Sequence, residues 1–480
     1  MNRRSFLKKT TGFAGMVLTG LAINPAKTFS RPSDLKITDI RGCTVAANYD
    51  YPIIKIYTNQ DVYGLGEVRD AGSLTTALIL KPLLVGKDPL DIESIMETIR
   101  PWAGNGRQGG GFSAVDMALF DIAGKTLGVP SYKILGPKIR DKIPIYGDTD
   151  ANEDAEVYAD RAKIRVDKFK LKHLKMDLRP WLVTGKLSGT SGTRGRGGRG
   201  GMMGGGMRGT AATEEGLKIW GEYVLAVREA IGYDITLGAD HFGSMTVESG
   251  IALGEFMAQP QYHLEYIEDV IGYGGQNAVE RNKQLCEGSA TPSLGFEDLF
   301  SFEGYKPFIN QGAIDITHCD MLTSGGLLET KRICDYAYRY GVKTMFHCAC
   351  SPVGAMASVH CACTIPDFIS MENHAMDMPW WDDLVTGVPK PLIQDGCYTV
   401  PERPGLGIEL NDEVVRKYLR EPEYLAKTGY FEPTPEFDKP VALDDAQARR
   451  MIMGGGSRGM AGPWWHLNED GEMVYEASAR

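Results

Sequence analysis

Three carboxylates recur at the ends of short apolar runs in the second half of the chain. Asp240 ends DITLGAD, Glu268 lies near the end of YHLEYIED, and Glu297 lies near the end of TPSLGFED. Carboxylates gathered in one place repel each other unless a cation lies among them. An all-oxygen set of this kind suits Mg²⁺. If the three runs lie side by side, they therefore predict a Mg²⁺ site.

Other apolar runs of the chain end in charged or polar residues in the same way. These residues are Lys175, Asp177, Asp320, His347 and Glu372. From Asp240 onward the spacing is roughly 23 to 29 residues, which is about the length of one strand–helix unit. If the strands lie side by side and run in the same direction, these residues would therefore all lie at the same end of the strands.

Eight apolar, β-branched runs supply the strands that would position these side chains. They cover residues 142–148, 169–177, 234–240, 262–269, 291–298, 313–320, 342–348 and 367–373. Amphipathic stretches such as SGGLLETKRICDYAYRYG separate them, with apolar residues near helical spacing. Eight strands alternating with helices predict an α/β fold, a barrel whose functional mouth lies at the carboxyl ends of its strands.

Three further segments carry a family resemblance. IIKIYTNQDVYGLGEV (53–68) resembles the opening hairpin of a capping domain, SAVDMALFDIAGKTLGVPSYKILG (113–136) the helix leading into the barrel, and VPERPGLGIEL (400–410) the return of the tail to the cap. With the barrel ligands in order, the chain from about Ile37 to about Leu425 resembles the mandelate racemase / muconate lactonizing branch of the enolase superfamily. The resemblance implies a (β/α)₇β TIM-like barrel with an N-terminal α+β capping domain.

The resemblance also assigns roles to the charged strand ends. Asp240, Glu268 and Glu297 match the three metal ligands of the family, which bind Mg²⁺. Asp320 and His347 match its Asp–His dyad. Glu372 matches the residue that hydrogen-bonds the substrate carboxylate or the intermediate, and Lys175 matches the first lysine of a Lys-x-Lys pair.

The activity implied is abstraction of the proton α to a carboxylate. A divalent ion neutralises the charge that develops, and His347 serves as general base or acid with Asp320 fixing its tautomer. We expect a lyase that dehydrates a sugar acid to a 2-keto-3-deoxy acid, similar to galactonate or mannonate dehydratases. Racemisation, epimerisation or cycloisomerisation of a hydroxy acid is the first alternative. A non-catalytic sugar-acid binding protein is an alternative of another class.

The chain departs from the family pattern at the second strand. Asp177 stands at the second lysine of Lys-x-Lys, which argues against a lysine base there and weakens two-base racemisation. Asp177 could instead bind substrate or turn toward the metal ligands. A different register would use Lys170 and Lys172 as the pair.

Two further departures lie beside the metal ligands. IEDV replaces the usual Glu-Glu-Pro, so Asp269 and Val270 are variant neighbours of Glu268. His241 directly follows Asp240, whereas related dehydratases place an acid–base histidine two residues after that aspartate. We therefore include His241 among the candidate catalytic residues.

The N-terminus predicts export. Arg3-Arg4 precedes Ser5-Phe6-Leu7-Lys8, and the moderately apolar run that follows, 13–23, is too short for a stable membrane span. The pattern resembles a twin-arginine signal over residues 1–31, which would engage the twin-arginine export machinery and place the folded protein in the periplasm or otherwise outside the cytoplasm.

An arginine- and glycine-rich stretch, GTRGRGGRGGMMGGGMRG (192–209), lies between the predicted second and third strands. We interpret it as an insertion at about 186–212 on the catalytic side of the barrel. The insertion is either a lid that closes over an acidic substrate or a flexible spacer. The chain carries a formal net charge of −10 and the stretch lacks interleaved aromatic residues, so nucleic-acid binding is not expected.

The remaining expectations concern organisation. The predicted divisions are the cap at 35–140, the barrel at 141–400, a return to the cap at 401–432 and a C-terminal extension at 433–480.

The chain has nine cysteines, which is an odd number, and some of them show Cys-x-Cys spacing rather than the Cys-x-x-Cys spacing of a zinc knuckle. This pattern favours small buried thiols over a metal site. Symmetric assemblies are common among such enzymes, so a homo-oligomer is expected.

Overall fold

The computed structural model describes residues 34–183, 187–188, 211–241, 243, 245–420, 429–444, 446–448, 465–467 and 473–475. The predicted export signal, most of the glycine-rich insertion and most of the C-terminal extension lie outside these residues. In the described part of the chain, no helix combines the length and the apolar character needed to cross a membrane.

An antiparallel sheet and five helices form the N-terminal domain. These are β1 (Ile37–Val45), β2 (Tyr51–Thr58), β3 (Tyr63–Glu67), α1 (Thr75–Leu78), α2 (Lys81–Leu84), α3 (Ile92–Ile99), α4 (Gly110–Leu127) and α5 (Tyr132–Leu135). Strands β2 and β3 pair as the predicted hairpin, with Ile53 opposite Glu67. A Cβ atom at Gly64 or Gly66 would collide with carbonyls of α4, so glycine allows the helix to lie directly on the sheet.

Eight parallel strands close into a barrel. They are β4 (Lys142–Thr149), β5 (His173–Asp177), β8 (Thr236–Asp240), β9 (Tyr266–Glu268), β10 (Ser293–Gly295), β11 (Ile316–Asp320), β12 (Lys343–His347) and β13 (Phe368–Asn373). Each pairs with the next, and β13 pairs back onto β4. This confirms the predicted barrel with an N-terminal cap.

Helices cover the outside of the barrel between successive strands. They are α6 (Ala155–Phe169), α7 (Glu214–Ile231), α8 (Val247–Met257), α9 (Ala278–Gly288), α10 (Phe302–Asn310), α11 (Met321–Ser324), α12 (Gly326–Arg339) and α13 (Pro352–Ala362). Thr213 directly precedes helix α7, and its side chain accepts a hydrogen bond from the Gly216 amide and caps the helix.

The second barrel strand is shorter than its sequence run. Helix α6 ends at Phe169, and Lys170 follows it in a left-handed conformation with φ of 53°. The Lys170 side chain is 73% exposed and pairs with Asp395 at 2.7 Å, and Lys172 is also exposed. The alternative register with Lys170 and Lys172 as the active-site pair is therefore wrong.

Short strands frame the glycine-rich insertion. Strands β6 (Leu187–Ser188) and β7 (Ala211–Ala212) pair antiparallel, with Leu187 opposite Ala212. The Ala212 amide donates to the hydroxyl of Ser249 on α8 at 2.9 Å. The two ends of the insertion thus leave the barrel together, while residues 189–210 lie outside the description.

Short elements follow the barrel. They are β14 (Val385–Thr386), β15 (Ile393–Gln394), β16 (Cys397–Thr399), β17 (Glu409–Leu410), α14 (Asp412–Lys417), β18 (Trp465–Leu467) and β19 (Met473–Tyr475). Strand β16 runs antiparallel to β4. The backbone amide of Leu406 donates to Asp121 of α4 at 2.8 Å, so the tail returns to the cap.

The interior of the barrel is packed rather than hollow. Tyr146, Tyr266, Leu294, Ile316 and Met345 form a buried cluster within it. The Tyr146 hydroxyl lies 2.7 Å from Nε2 of His318, and the Tyr266 hydroxyl lies 2.9 Å from Nε2 of His173. This layer forms the floor beneath the charged strand ends.

All nine cysteines are free thiols, and seven of them are buried. Among the described residues, four groups of metal-ligating side chains lie close enough together to hold an ion, and none includes a cysteine. The burial of seven thiols agrees with the prediction that most of the cysteines are packing residues.

Candidate active site

Strand pairing brings the predicted carboxylates together at the carboxyl ends of the barrel strands. Asp177 on β5 lies opposite Asp240 on β8, and Asp240 lies opposite Glu268 on β9. Glu297 follows β10 by two residues. One ligand atom each from Glu268, Glu297 and His318 lie within 4.8 Å of one another. Glu268 and Glu297 are thus brought together with His318, and the strand register places Asp240 beside Glu268. We refer to these three carboxylates as the acidic arc.

A fourth carboxylate, Asp269, lies beside this arc. Its Oδ1 accepts a hydrogen bond from the Phe296 amide at 3.2 Å. Burial raises the pKa of Asp269, and the charges of Glu297, Glu268 and Asp240 raise it further. From the sequence, Asp269 was identified only as a variant neighbour of Glu268, but the structure places it among the carboxylates of the predicted metal site.

The acidic arc fits a divalent cation. Burial raises the pKa of Glu268 to about 7 and that of Glu297 to about 8. Crowded, desolvated carboxylates of this kind are stabilised in their ionised form by a cation placed among them. The donors are mainly carboxylate oxygens, which are the ligands of a hard ion such as Mg²⁺.

Lys175 links the arc to the opposite side of the mouth. Its side chain is 2% exposed, and Nζ lies 3.1 Å from Glu268, 2.5 Å from Glu372 and 3.5 Å from Asp148. Burial opposes its charge, but these carboxylates hold the pKa of Lys175 well above its ordinary value. Lys175 is therefore a fixed cation and not a free base.

The predicted Asp–His dyad is assembled across β11 and β12. Nδ1 of His347 lies 2.5 Å from Oδ2 of Asp320, while its Nε2 lies 3.2 Å from Glu297 and 3.6 Å from Glu372. Burial lowers the pKa of His347 well below its ordinary value, and the charge of Arg69 adds to this effect. The imidazole is thus neutral, with Nε2 directed at the carboxylates of the mouth.

Arg69 is a site residue that the sequence analysis missed. It follows the capping hairpin and is buried, and its guanidinium contacts Oδ2 of Asp320 and lies 3.1 Å from Glu297. Burial raises the pKa of Asp320 to about 8 against the opposing charge of Arg69. We assign the ionised form, because Arg69 and His347 both direct nitrogens at the same oxygen.

His374 and Asp148 were also missed. Nδ1 of His374 lies 3.1 Å from Oδ2 of Asp148, and Nε2 lies 3.2 Å from Oε1 of Glu372. Burial disfavours the charged imidazole, but the two carboxylates hold the pKa of His374 well above its ordinary value. Asp148 ends its apolar run as the other site residues do, which is the signal that could have identified it.

Asp177 and His241 occupy different surroundings from each other. Asp177 is buried at the mouth and pairs with Arg179 at 2.8 Å. His241 is buried with its ring edge-on to Trp220 of α7, at a centroid distance of 5.8 Å. Burial lowers the pKa of His241 to about 3. Its position against the helix layer favours a packing role over the predicted catalytic one.

Comparison with known families agrees with this geometry. The profile of the mandelate racemase / muconate lactonizing enzyme N-terminal domain matches residues 27–136, and the enolase C-terminal domain-like profile matches residues 159–414. The chain belongs to the mandelate racemase / muconate lactonizing enzyme family. In this chain, the N-terminal match spans the capping sheet and the C-terminal match spans most of the barrel.

Members of the family with assigned names include several dehydratases. The chain is 31% identical over 401 residues to D-xylonate dehydratase of Haloferax volcanii, covering 82% of this chain and 91% of that protein. It is 29% identical to a D-galactonate dehydratase family member of Musicola paradisiaca, covering 80% of this chain and 94% of that protein.

Solved structures of the family share the fold. An enolase superfamily member from Salmonella Typhimurium superposes with a TM-score of 0.66 at 26% identity, covering 80% of this chain and 98% of that one. A mandelate racemase/muconate lactonizing enzyme-like protein from Rubrobacter xylanophilus gives a TM-score of 0.70 at 24% identity, covering 81% and 98% of the two chains.

Proposed function

We propose that this protein is a Mg²⁺-dependent dehydratase that converts a sugar acid to a 2-keto-3-deoxy acid and water. The observation that carries the proposal is His347, held at Nδ1 by Asp320 and facing an arc of buried carboxylates at the mouth of the barrel. The names of the relatives, which include D-xylonate and D-galactonate dehydratase, support the same reaction class.

Asp240, Glu268 and Glu297 would hold the ion. A bound Mg²⁺ would polarise the substrate carboxylate and stabilise the negative charge that develops when the α-proton leaves. The charge of Lys175, fixed between Glu268 and Glu372, lies where it also favours an anionic group of the substrate. The residues that hold the ion and Lys175 would thereby hold the substrate with its α-carbon toward the dyad.

His347 removes the α-proton in this mechanism. Its Nδ1 is held by Asp320, which leaves Nε2 with the lone pair on the side of the carboxylates. When Nε2 takes the proton, the ring becomes an imidazolium, and the Asp320 carboxylate stabilises that charge. Arg69 keeps the same carboxylate oriented from the side of the cap.

Racemisation and epimerisation are less well supported. Both need a second base on the face of the substrate opposite His347. Lys175 is bound by three carboxylates, and Asp177 is paired with Arg179. A non-catalytic binding protein does not require an imidazole that is oriented by a carboxylate, as His347 is by Asp320.

The cellular location and assembly state complete the proposal. The Arg3-Arg4 sequence supports export through the twin-arginine machinery into the periplasm. Replacing both arginines with lysine should leave the protein in the cytoplasm, which fractionation would detect. The homo-oligomer proposed for the mature protein would be measured by light scattering.

Proton NMR in D₂O tests the reaction. The mature protein with Mg²⁺ is incubated with D-xylonate, D-galactonate, D-gluconate and further sugar acids, and Glu297→Gln serves as the inactive control. Loss of the α-proton with new methylene signals at C3 would support dehydration. Exchange of the α-proton without elimination would favour a racemase or epimerase instead.

A further inference from the structure

His374 is a titratable residue of the mouth that has no role in the mechanism proposed above. It lies just beyond β13, two residues after Glu372, and its side chain is 12% exposed. Its ring centroid lies 5.6 Å from that of His347. Asp148 holds Nδ1 of His374 as Asp320 holds Nδ1 of His347. The mouth thus contains two Asp–His pairs side by side.

The second ring nitrogen of His374 is directed toward the reacting side of the mouth. Nε2 lies 3.2 Å from Oε1 of Glu372, whose other oxygen lies 3.6 Å from Nε2 of His347. The angles at Nε2 of His374 do not meet those of a hydrogen bond, and no other described residue accepts from this nitrogen. Nε2 is itself buried and faces the carboxylate of Glu372, so an oxygen atom of a bound substrate would compete with Glu372 for its N–H.

The charges around His374 favour a protonated ring. Asp148 and Glu372 face it directly, and Lys175 contacts both of these carboxylates from the other side. The ring of Tyr49, in the loop between β1 and β2 of the cap, covers His374 edge-on at 5.5 Å. Because Asp148 and Glu372 both face its ring, His374 is suited to donate a proton.

We propose that His374 is the general acid of the dehydration and donates its Nε2 proton to the departing β-hydroxyl group. Asp148 is then a positioning residue that fixes the ring through Nδ1. This inference rests on the proposed dehydratase function and adds the second of the two proton transfers that elimination of water requires.

The protons balance over one turnover. His347 takes the α-proton, the bond from the β-carbon to its hydroxyl breaks, and the His374 proton completes the water molecule. The enol product then takes a proton at C3 from His347 and returns its hydroxyl proton to His374. Both imidazoles regain their starting states, and the products are the 2-keto-3-deoxy acid and water.

The test separates proton donation from packing. His374→Gln and Asp148→Asn are compared with the wild type and with His263→Asn, a control on an exposed histidine. Two substrates are used, namely the sugar acid that the wild type dehydrates and its 3-deoxy-3-fluoro analogue. Fluoride leaves without a proton, so it needs no general acid.

We expect His374→Gln to lower the dehydration rate by about 100-fold or more. Exchange of the α-proton in D₂O should continue, and fluoride release should stay within about tenfold of the wild-type rate, consistent with the unchanged role of His347. Equal losses on both substrates would overturn the proposal, as would an unaffected His374→Gln. A wild type that dehydrates none of the sugar acids in the NMR panel would refute the dehydratase function itself, and the role of His374 with it.

Discussion

Arg69, at the end of the capping sheet, donates to the same oxygen of Asp320 that Nδ1 of His347 contacts. The cap therefore contributes directly to the catalytic dyad and does more than cover the mouth. Because the charge of Arg69 also lowers the pKa of His347, the cap helps to keep the base neutral.

Replacing Arg69 with Gln should impair the dyad. We expect kcat/KM to fall by about 10- to 100-fold, since a buried, charge-assisted hydrogen bond is lost. The pKa of His347 should rise once the neighbouring positive charge is gone, so the acid limb of the kcat/KM profile should move to higher pH. Arg339→Gln, on an exposed arginine, is the matched control. An unshifted acid limb would contradict the role assigned to Arg69.

Glu67 should make stability depend on pH. This buried cap residue accepts hydrogen bonds from the amides of Ser351 and Gly354 at the start of α13, each at 2.8 Å. Burial raises its pKa from 4.5 to about 7. Its stabilising contribution is full below pH 4.5 and is lost as pH rises through about 7, because the folded protein holds the proton more tightly.

The corresponding loss is on the order of 3 kcal/mol of unfolding free energy between these pH values. Glu67→Gln cannot ionise, so it should flatten this part of the stability profile. Denaturant unfolding of the wild type and the variant at several pH values between 4.5 and 8 measures the effect. Parallel profiles for the two proteins would exclude Glu67 as the source.

Metal binding should depend on the carboxylate arc. We expect Mg²⁺ to raise the thermal unfolding midpoint of the wild type in a concentration-dependent way, since binding to the folded state stabilises it. Glu297→Gln should abolish most of this shift and most of the activity. Glu303→Gln, on the exposed surface of α10, should retain both. Chelation of the metal should reversibly abolish turnover by the wild type.

His241 should act through packing. We expect His241→Leu to lower the unfolding free energy by about 1–3 kcal/mol, because its buried polar interactions would be lost. The pH profile of kcat should keep its shape, since the ring lies against Trp220 rather than at the dyad. A displaced limb in that profile would restore the catalytic role suggested by the sequence.

The positions of the strands and most of the site could be predicted because charged residues interrupt buried apolar runs at regular intervals. Asp240, Glu268 and Glu297 follow this rule directly. His241 stays a prediction from the sequence, but neighbouring strand residues point to opposite faces, so the residue after an inward Asp240 lies against Trp220 of α7. That alternation was available from the sequence alone.

Arg69 and His374 could not be found by the same rule. Arg69 belongs to another domain and reaches Asp320 across 251 residues of sequence. His374 lies beyond the strand end, and its role follows from contacts with Asp148 and Glu372 that only the closed barrel provides. Contacts of this kind depend on the packing of distant segments and leave no local pattern.

The pairing of β13 with β4 closes the barrel and brings residues that are far apart in the sequence into one site. Lys175 and Asp148 come from the early strands, whereas Glu372 and His374 come from the last one. A chain still lacking β13 would hold Lys175 with one of its partners missing and no second histidine. We therefore expect a chain that lacks β13, and with it Glu372 and His374, to be inactive.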